Sequence, residues 1–300
     1  MPTPPFGRLL TAMVTPFDAD GSLDRDAAGV LATYLVDDLG HDGLVVSGTT
    51  GESPTTTDRE KAELLRVVLD AVGDRASVIT GVGTFSTQHS LELVSDAAKI
   101  GAHGVLLVTP YYSKPPQSGL LEHFTRVADA TDLPVMLYDI PHRAGVAIAT
   151  STMLRLAEHE HVVAVKDAKS DLIASSQVMA QTNLAYYSGE DALTLPLLAV
   201  GAVGLVGTST HFSGLGAKAM IEAYVAGDTA KALALHRQLL PIYTGIFATQ
   251  GCILVKAGLE LQGRGVGGLR SPLVSATAAE IEALALALGA AGLPAGPVGD

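Results

Sequence analysis

The chain has 300 residues, which fits one barrel of roughly 250 residues with an appendage, and equally two smaller domains. Hydrophobic residues make up 48% and charged residues 17%, enough for a large core and too apolar for a disordered chain. A net charge of −12 with no Lys/Arg cluster excludes a basic nucleic-acid-binding face and disfavours an anionic membrane surface, while a small anionic substrate stays open because one pocket Arg reverses the local field.

From Met1 to Phe17 there is no charged-then-apolar signal layout, so a cytoplasmic protein is expected. Eight short apolar runs follow along the chain: Leu9–Val14, Gly43–Ser47, Ser77–Gly81, Gly104–Val108, Pro134–Tyr138, Val162–Lys166, Leu184–Ser188 and Val203–Gly207. They are rich in Val, Ile and Leu and lack polar alternation, as strands buried on both faces do. Between them lie segments of helical period: Asp24–Leu39, Asp58–Val72, Thr87–Ile100, Gly119–Ala130 and Asp171–Gln181. In Asp58–Val72, Ala62, Leu65, Val68, Leu69 and Val72 share one face, with Thr57 or Asp58 as the cap. Continuous alternation of eight strands with helices predicts a (β/α)8 TIM barrel rather than a doubly wound sheet. Strand signal stops after Val203–Gly207, so residues 1–227 read as the barrel and 228–300 as a helical appendage ending in a loose Gly/Pro-rich tail, 292–300. The charge-free stretches Ala192–Ala217 and Ala283–Gly299 are cut by Pro and Gly and do not read as membrane spans.

A barrel builds its active site at the C-terminal ends of its strands. Lys166 ends the sixth run, and burial there would lower its pKa and leave a nucleophilic amine; the competing reading is a strand-capping lysine paired with Asp167. Tyr138 ends the fifth run, where a phenol could shuttle protons or simply pack. Gly48-Thr49-Thr50-Gly51-Glu52, after the second run, is a tight turn whose hydroxyls and amides could hold a carboxylate or cap a helix. It has neither the Walker nor the Gly-x-Gly-x-x-Gly pattern, so a nucleotide site is disfavoured. Arg143 could grip a carboxylate or lie solvated in its loop. The nine histidines form no ligand pair and Cys252 is the only cysteine, so no metal site and no disulfide are expected. There is no Gly-x-Ser-x-Gly elbow.

Together these segments resemble the dihydrodipicolinate synthase / N-acetylneuraminate lyase family of pyruvate-dependent aldolases, from about Leu10 to Leu261. The resemblance is carried by Thr11-Ala-Met-Val-Thr-Pro-Phe17, Ser47-Gly-Thr-Thr-Gly-Glu-Ser53, Val108-Thr-Pro-Tyr-Tyr112, Leu137-Tyr-Asp-Ile-Pro141, Val165-Lys-Asp167, Ser188-Gly189 and Val255-Lys256. It looks like the synthase branch, close to actinobacterial members. The resemblance implies that Lys166 forms a Schiff base with pyruvate and that Thr49, Tyr112 and Tyr138 relay protons, Tyr112 reaching across a dimer interface. It implies that Thr50 contacts the pyruvate carboxylate, that Arg143 receives the carboxylate of aspartate semialdehyde, and that Gly189 and Val206 present backbone carbonyls to the keto acid. It further implies no cofactor, and a tetramer built from two tight dimers. Departures fall at His142, at Ala144, and at Gly207-Thr208-Ser209, where the family is more apolar. Lysine-sensitive members hold lysine with an Asn, a Glu and His residues whose positions here are Phe85, His89, Asp58 and Lys61, leaving only Ser53 and Tyr111 in common, so strong lysine inhibition is not expected. Two alternatives stand beside this: a sister aldolase acting on N-acetylneuraminate or a 2-keto-3-deoxy sugar acid, and a non-catalytic ligand-binding barrel.

Overall fold

The computed structural model describes residues 2–297; the last three residues of the expected loose tail lie outside them. Eight parallel strands close into a barrel in sequence order: β1 (Leu9–Ala12), β2 (Gly43–Val46), β3 (Ser77–Gly81), β4 (Gly104–Val108), β5 (Val135–Asp139), β6 (Val162–Asp167), β7 (Ala185–Ser188) and β8 (Gly204–Gly207). Each falls within two residues of its apolar run.

Period-two alternation divides the strands between the barrel interior and the layer under the helices. Leu10, Ala12, Val45, Ile79, Leu106, Met136, Tyr138, Ala164, Tyr187 and Val206 point inward and fill the barrel. Leu44, Val46, Val78, Val105, Leu107, Val135, Leu137 and Val165 point outward under the helices. This parity sets the site: Val165 faces out, so Lys166 faces into the barrel mouth, and Asp167 faces out again.

The helices are α1 (Arg25–Thr33), α2 (Asp58–Val72), α3 (Thr87–Ile100), α4 (Gln117–Asp129), α5 (Pro141–Ala144), α6 (Thr150–Leu156), α7 (Leu172–Met179), α8 (Thr194–Ala199), α9 (Thr210–Val225), α10 (Thr229–Gly245), α11 (Gly251–Leu261) and α12 (Ala278–Ala290). Thr57 caps α2 in a capping box: its Oγ1 accepts from the Glu60 amide at 3.3 Å while the Glu60 carboxylate accepts from the Thr57 amide at 2.8 Å. The helix expected over Asp24–Leu39 instead ends at Thr33 and passes into a π-helical turn, Tyr34–Asp38. That widened turn places Leu35 and Val36 in the core while the Leu35 carbonyl accepts from the His41 amide at 3.2 Å.

After α9 the described residues form helices and connecting loops and no further strand. α10 packs on α9, and α12 closes over α10 and α11. The appendage is tied to the barrel mouth by buried charge. Lys256 Nζ on α11 lies 2.8 Å from Glu52 Oε1 and 4.3 Å from the Phe17 ring centroid, and the Arg270 amide donates to Glu52 Oε2 at 3.0 Å. Arg270 also sits over Phe17 and pairs with Glu60. No helix among the described residues is long and apolar enough to cross a membrane.

Candidate active site

Lys166 and Tyr138 are register partners across β5 and β6, both buried, with Lys166 Nζ 4.5 Å from the Tyr138 ring centroid. Among the described residues Lys166 makes no hydrogen bond or ion pair. The pairing with Asp167 does not form: the Asp167 carboxylate accepts from the Lys169 amide at 2.9 Å and from the Ser175 hydroxyl. With no direct partner, burial dominates and lowers the pKa of the amine to about 8; the Asp191 and Glu190 charges oppose it in part, and Arg143 pushes it further down. Burial raises the Tyr138 phenol well above its ordinary value, opposed by the Arg143 charge and the Thr49 side chain. Tyr138 is thus a protonated donor beside a partly neutral amine.

The mouth holds two adjoining cavities. One, about 260 Å³, is lined by Thr49, Thr50, Tyr138, Arg143, Lys166, Gly189 and Glu190, and roofed by Phe247, Gln250 and Cys252 from the appendage. The other, about 320 Å³, is lined by Ser47, Thr49, Tyr111, Tyr112, Tyr138, Arg143 and Ala144. Thr49, Tyr138 and Arg143 form the wall between them. His142 lines the first cavity and Ala144 the second, so both departures from the family pattern border the site.

Of the expected site residues, six gather around Lys166 or its neighbouring wall. Val206 is different: it lies fully buried in β8 among the inward-facing side chains and lines neither cavity. Gly189 is beside Lys166; a Cβ there would come within 3.1 Å of Lys166 Cγ and the Asp167 carbonyl and 3.0 Å of Ala168 Cβ. Tyr112 stands at the edge, 93% exposed and left-handed at φ 74°. Ser47 and Glu52 are also left-handed, both at φ 55°, so the threonine turn between them is held in a conformation that costs roughly 1–3 kcal/mol per residue and persists only under surrounding constraint. The buried Glu52–Lys256 pair anchors the Glu52 end of that turn.

Sequence reasoning missed Glu190 and Asp191, although they follow Ser188-Gly189 directly at the end of β7. Asp191 is fully buried and accepts from the Thr208 amide at 3.1 Å, the Ser209 amide at 2.9 Å and the Ser209 hydroxyl at 2.6 Å. This gives the polar Gly207-Thr208-Ser209 run its physical reason, since an apolar residue at 209 would lack the hydroxyl donor. A Cβ on Gly207 would sit 2.5 Å from the Thr210 methyl and 3.0 Å from Asp191 Oδ1. Among the described residues no three His, Cys, Asp or Glu side chains converge as metal ligands.

Residues 5–291 match the model of the dihydrodipicolinate synthetase family. The chain belongs to that family. A 4-hydroxy-tetrahydrodipicolinate synthase of Acidothermus cellulolyticus is 67% identical over 288 residues, spanning 96% of this chain and 93% of its own. Another, 4-hydroxy-tetrahydrodipicolinate synthase 2 of Streptomyces coelicolor, is 59% identical over 97% of both chains. Among solved structures, DHDPS from Cyanidioschyzon merolae with lysine bound superposes with a TM-score of 0.95 at 41% identity, covering 97% of this chain and all 100% of that one. For this member of the dihydrodipicolinate synthetase family, the actinobacterial likeness read from the motifs agrees with those relatives.

Proposed function

We propose that the chain is a Schiff-base lyase that condenses pyruvate with L-aspartate 4-semialdehyde to 4-hydroxy-tetrahydrodipicolinate, in the diaminopimelate/lysine pathway. The observation that carries this is the buried, unpaired Lys166 amine at the barrel mouth, facing Tyr138. The neutral amine attacks the pyruvate ketone, and loss of water leaves an imine. A methyl proton departs to give an enamine, whose carbon adds to the aldehyde. The amine of the adduct then attacks the imine carbon, closes the ring and releases Lys166.

In this reading Tyr138 donates and retrieves protons at the reacting carbon, with Thr49 beside it. Tyr112 completes the relay from a neighbouring subunit: its exposed ring in the isolated chain suits a residue that crosses an interface. Thr50 takes the pyruvate carboxylate, Arg143 takes the carboxylate of the aldehyde, and the Gly189 carbonyl borders the keto acid. The protein works in the cytoplasm as a homotetramer of two tight dimers.

A coupled assay with pyruvate and aspartate semialdehyde tests the reaction, and borohydride trapping with peptide mapping tests the nucleophile. The expected adduct is one reduced pyruvyl unit on Lys166, lost in Lys166→Ala. Labelling of Lys256 in its place overturns the assignment. Turnover of N-acetylneuraminate, with none of aspartate semialdehyde, would instead favour the sister aldolase.

A further inference from the structure

Three side chains that carry charge line the 260 Å³ cavity, and among the described residues their heads are unpaired: Lys166, Arg143 and Glu190. Glu190 is the one carboxylate in that lining, and it is half-buried. Only its main chain is engaged, the carbonyl accepting from the Ser188 hydroxyl at 2.6 Å and the amide donating back to it at 3.3 Å. The Arg143 guanidinium is likewise unpartnered among the described residues. Arg143 comes from α5, after β5, and Glu190 from the segment after β7, and no ion pair joins them among the described residues. Burial first, and then Asp191, push the Glu190 carboxyl above its ordinary pKa, while Lys166 and Arg143 draw it down in part.

We propose that Glu190 is the specificity residue for the α-ammonium group of the second substrate, opposite the carboxylate grip of Arg143. This deepens, and rests on, the synthase reading above. An amino-acid aldehyde carries an ammonium and a carboxylate on one carbon, and a cavity with one free anion and one free cation matches that dipole. A sugar acid or a plain oxo acid offers no ammonium, and would leave the Glu190 carboxylate desolvated without a partner. Fixing the ammonium also fixes the nitrogen that must later attack the imine carbon on Lys166.

The test compares aspartate semialdehyde with 4-oxobutanoate, which keeps the aldehyde and carboxylate and lacks the amine. Incorporation of labelled pyruvate is followed with the intact enzyme and with Glu190→Gln and Arg143→Ala. Glu190→Gln is expected to lower kcat/KM for aspartate semialdehyde on the order of 10- to 100-fold and to leave that for 4-oxobutanoate unchanged, collapsing the preference. Arg143→Ala is expected to weaken both aldehydes. Where 4-oxobutanoate turns over too slowly to follow, its inhibition constant against aspartate semialdehyde replaces kcat/KM. Borohydride trapping of pyruvate on Lys166 should survive Glu190→Gln, which shows that the variant is folded. An equal loss for both aldehydes, or no loss for either, overturns the assignment while leaving the synthase reading intact. Failure of the unaltered enzyme to use aspartate semialdehyde, with the pyruvate adduct still forming, overturns both.

Discussion

Replacing Lys256 by Met removes one charge from a pair that is almost wholly out of water. The two side chains are 3% and 0% exposed, with Nζ and Oε1 2.8 Å apart. At that distance and an effective dielectric of about 20, Coulomb's law gives an attraction of about 6 kcal/mol. Desolvation of both ions offsets much of it, so the intact pair is a modest net stabiliser. The single substitution is a different matter, because Glu52 is left buried without its charge partner, with the Arg270 amide its one remaining hydrogen-bond donor among the described residues. Truncating one partner of such a pair costs about 3–5 kcal/mol. Lys256→Met also loses the hydrogen bond from Nζ to the Gly268 carbonyl at 2.5 Å. Urea unfolding followed by circular dichroism, at fixed protein concentration because oligomers unfold concentration-dependently, reads the loss directly. Adding Glu52→Gln to Lys256→Met should recover a substantial part of it, since the stranded charge is then gone. A single-variant loss below about 1 kcal/mol, or a double variant as unstable as the two singles summed, would refute the reasoning. Because Glu52 terminates the threonine turn, pyruvate trapping by Lys256→Met should fall as well.

Three further outcomes follow from the site. The rate of imine formation should climb about tenfold per pH unit below the Lys166 pKa of about 8 and level off above it, because burial favours the neutral amine; a rate still climbing tenfold per unit at about pH 10 contradicts the lowered pKa. Mixing inactive Tyr112→Phe subunits with inactive Lys166→Ala subunits should restore part of the activity, and no recovery in verified mixed dimers counts against a shared site. L-lysine should not inhibit strongly: His89 Nε2 is already 2.8 Å from Asp58 Oδ2, Lys61 Nζ 2.8 Å from the Thr56 carbonyl, and Phe85 packs edge-on to Tyr111 at 5.6 Å between centroids. Saturable inhibition at sub-millimolar lysine in initial-rate assays would sink that expectation.

The sequence by itself determined the barrel and the inward-facing place of Lys166 at its mouth. Strands covered on both faces have no polar side to display, so eight uninterrupted apolar runs announce a closed parallel sheet, and period-two alternation carries Lys166 inward after Val165. Capping is equally local: Thr57 and Glu60 lie within one turn and settle the start of α2 without help from the rest of the chain. The π turn after Thr33 was not legible, because it answers to what Leu35 and Val36 pack against and leaves no periodic mark. The cavity's charge pattern was decided by the tertiary structure alone. Glu190 and Asp191 are ordinary acids in a loop until closure of the barrel sets one in the cavity that Lys166 and Arg143 also line and buries the other under Thr208 and Ser209. Glu52 and Lys256 have no shared period or motif, and only the fold of α11 over the barrel mouth removes both from water. Periodicity reports which face of an element is buried. It says nothing about which distant charges share that burial, and in a low-dielectric site those charges set the chemistry.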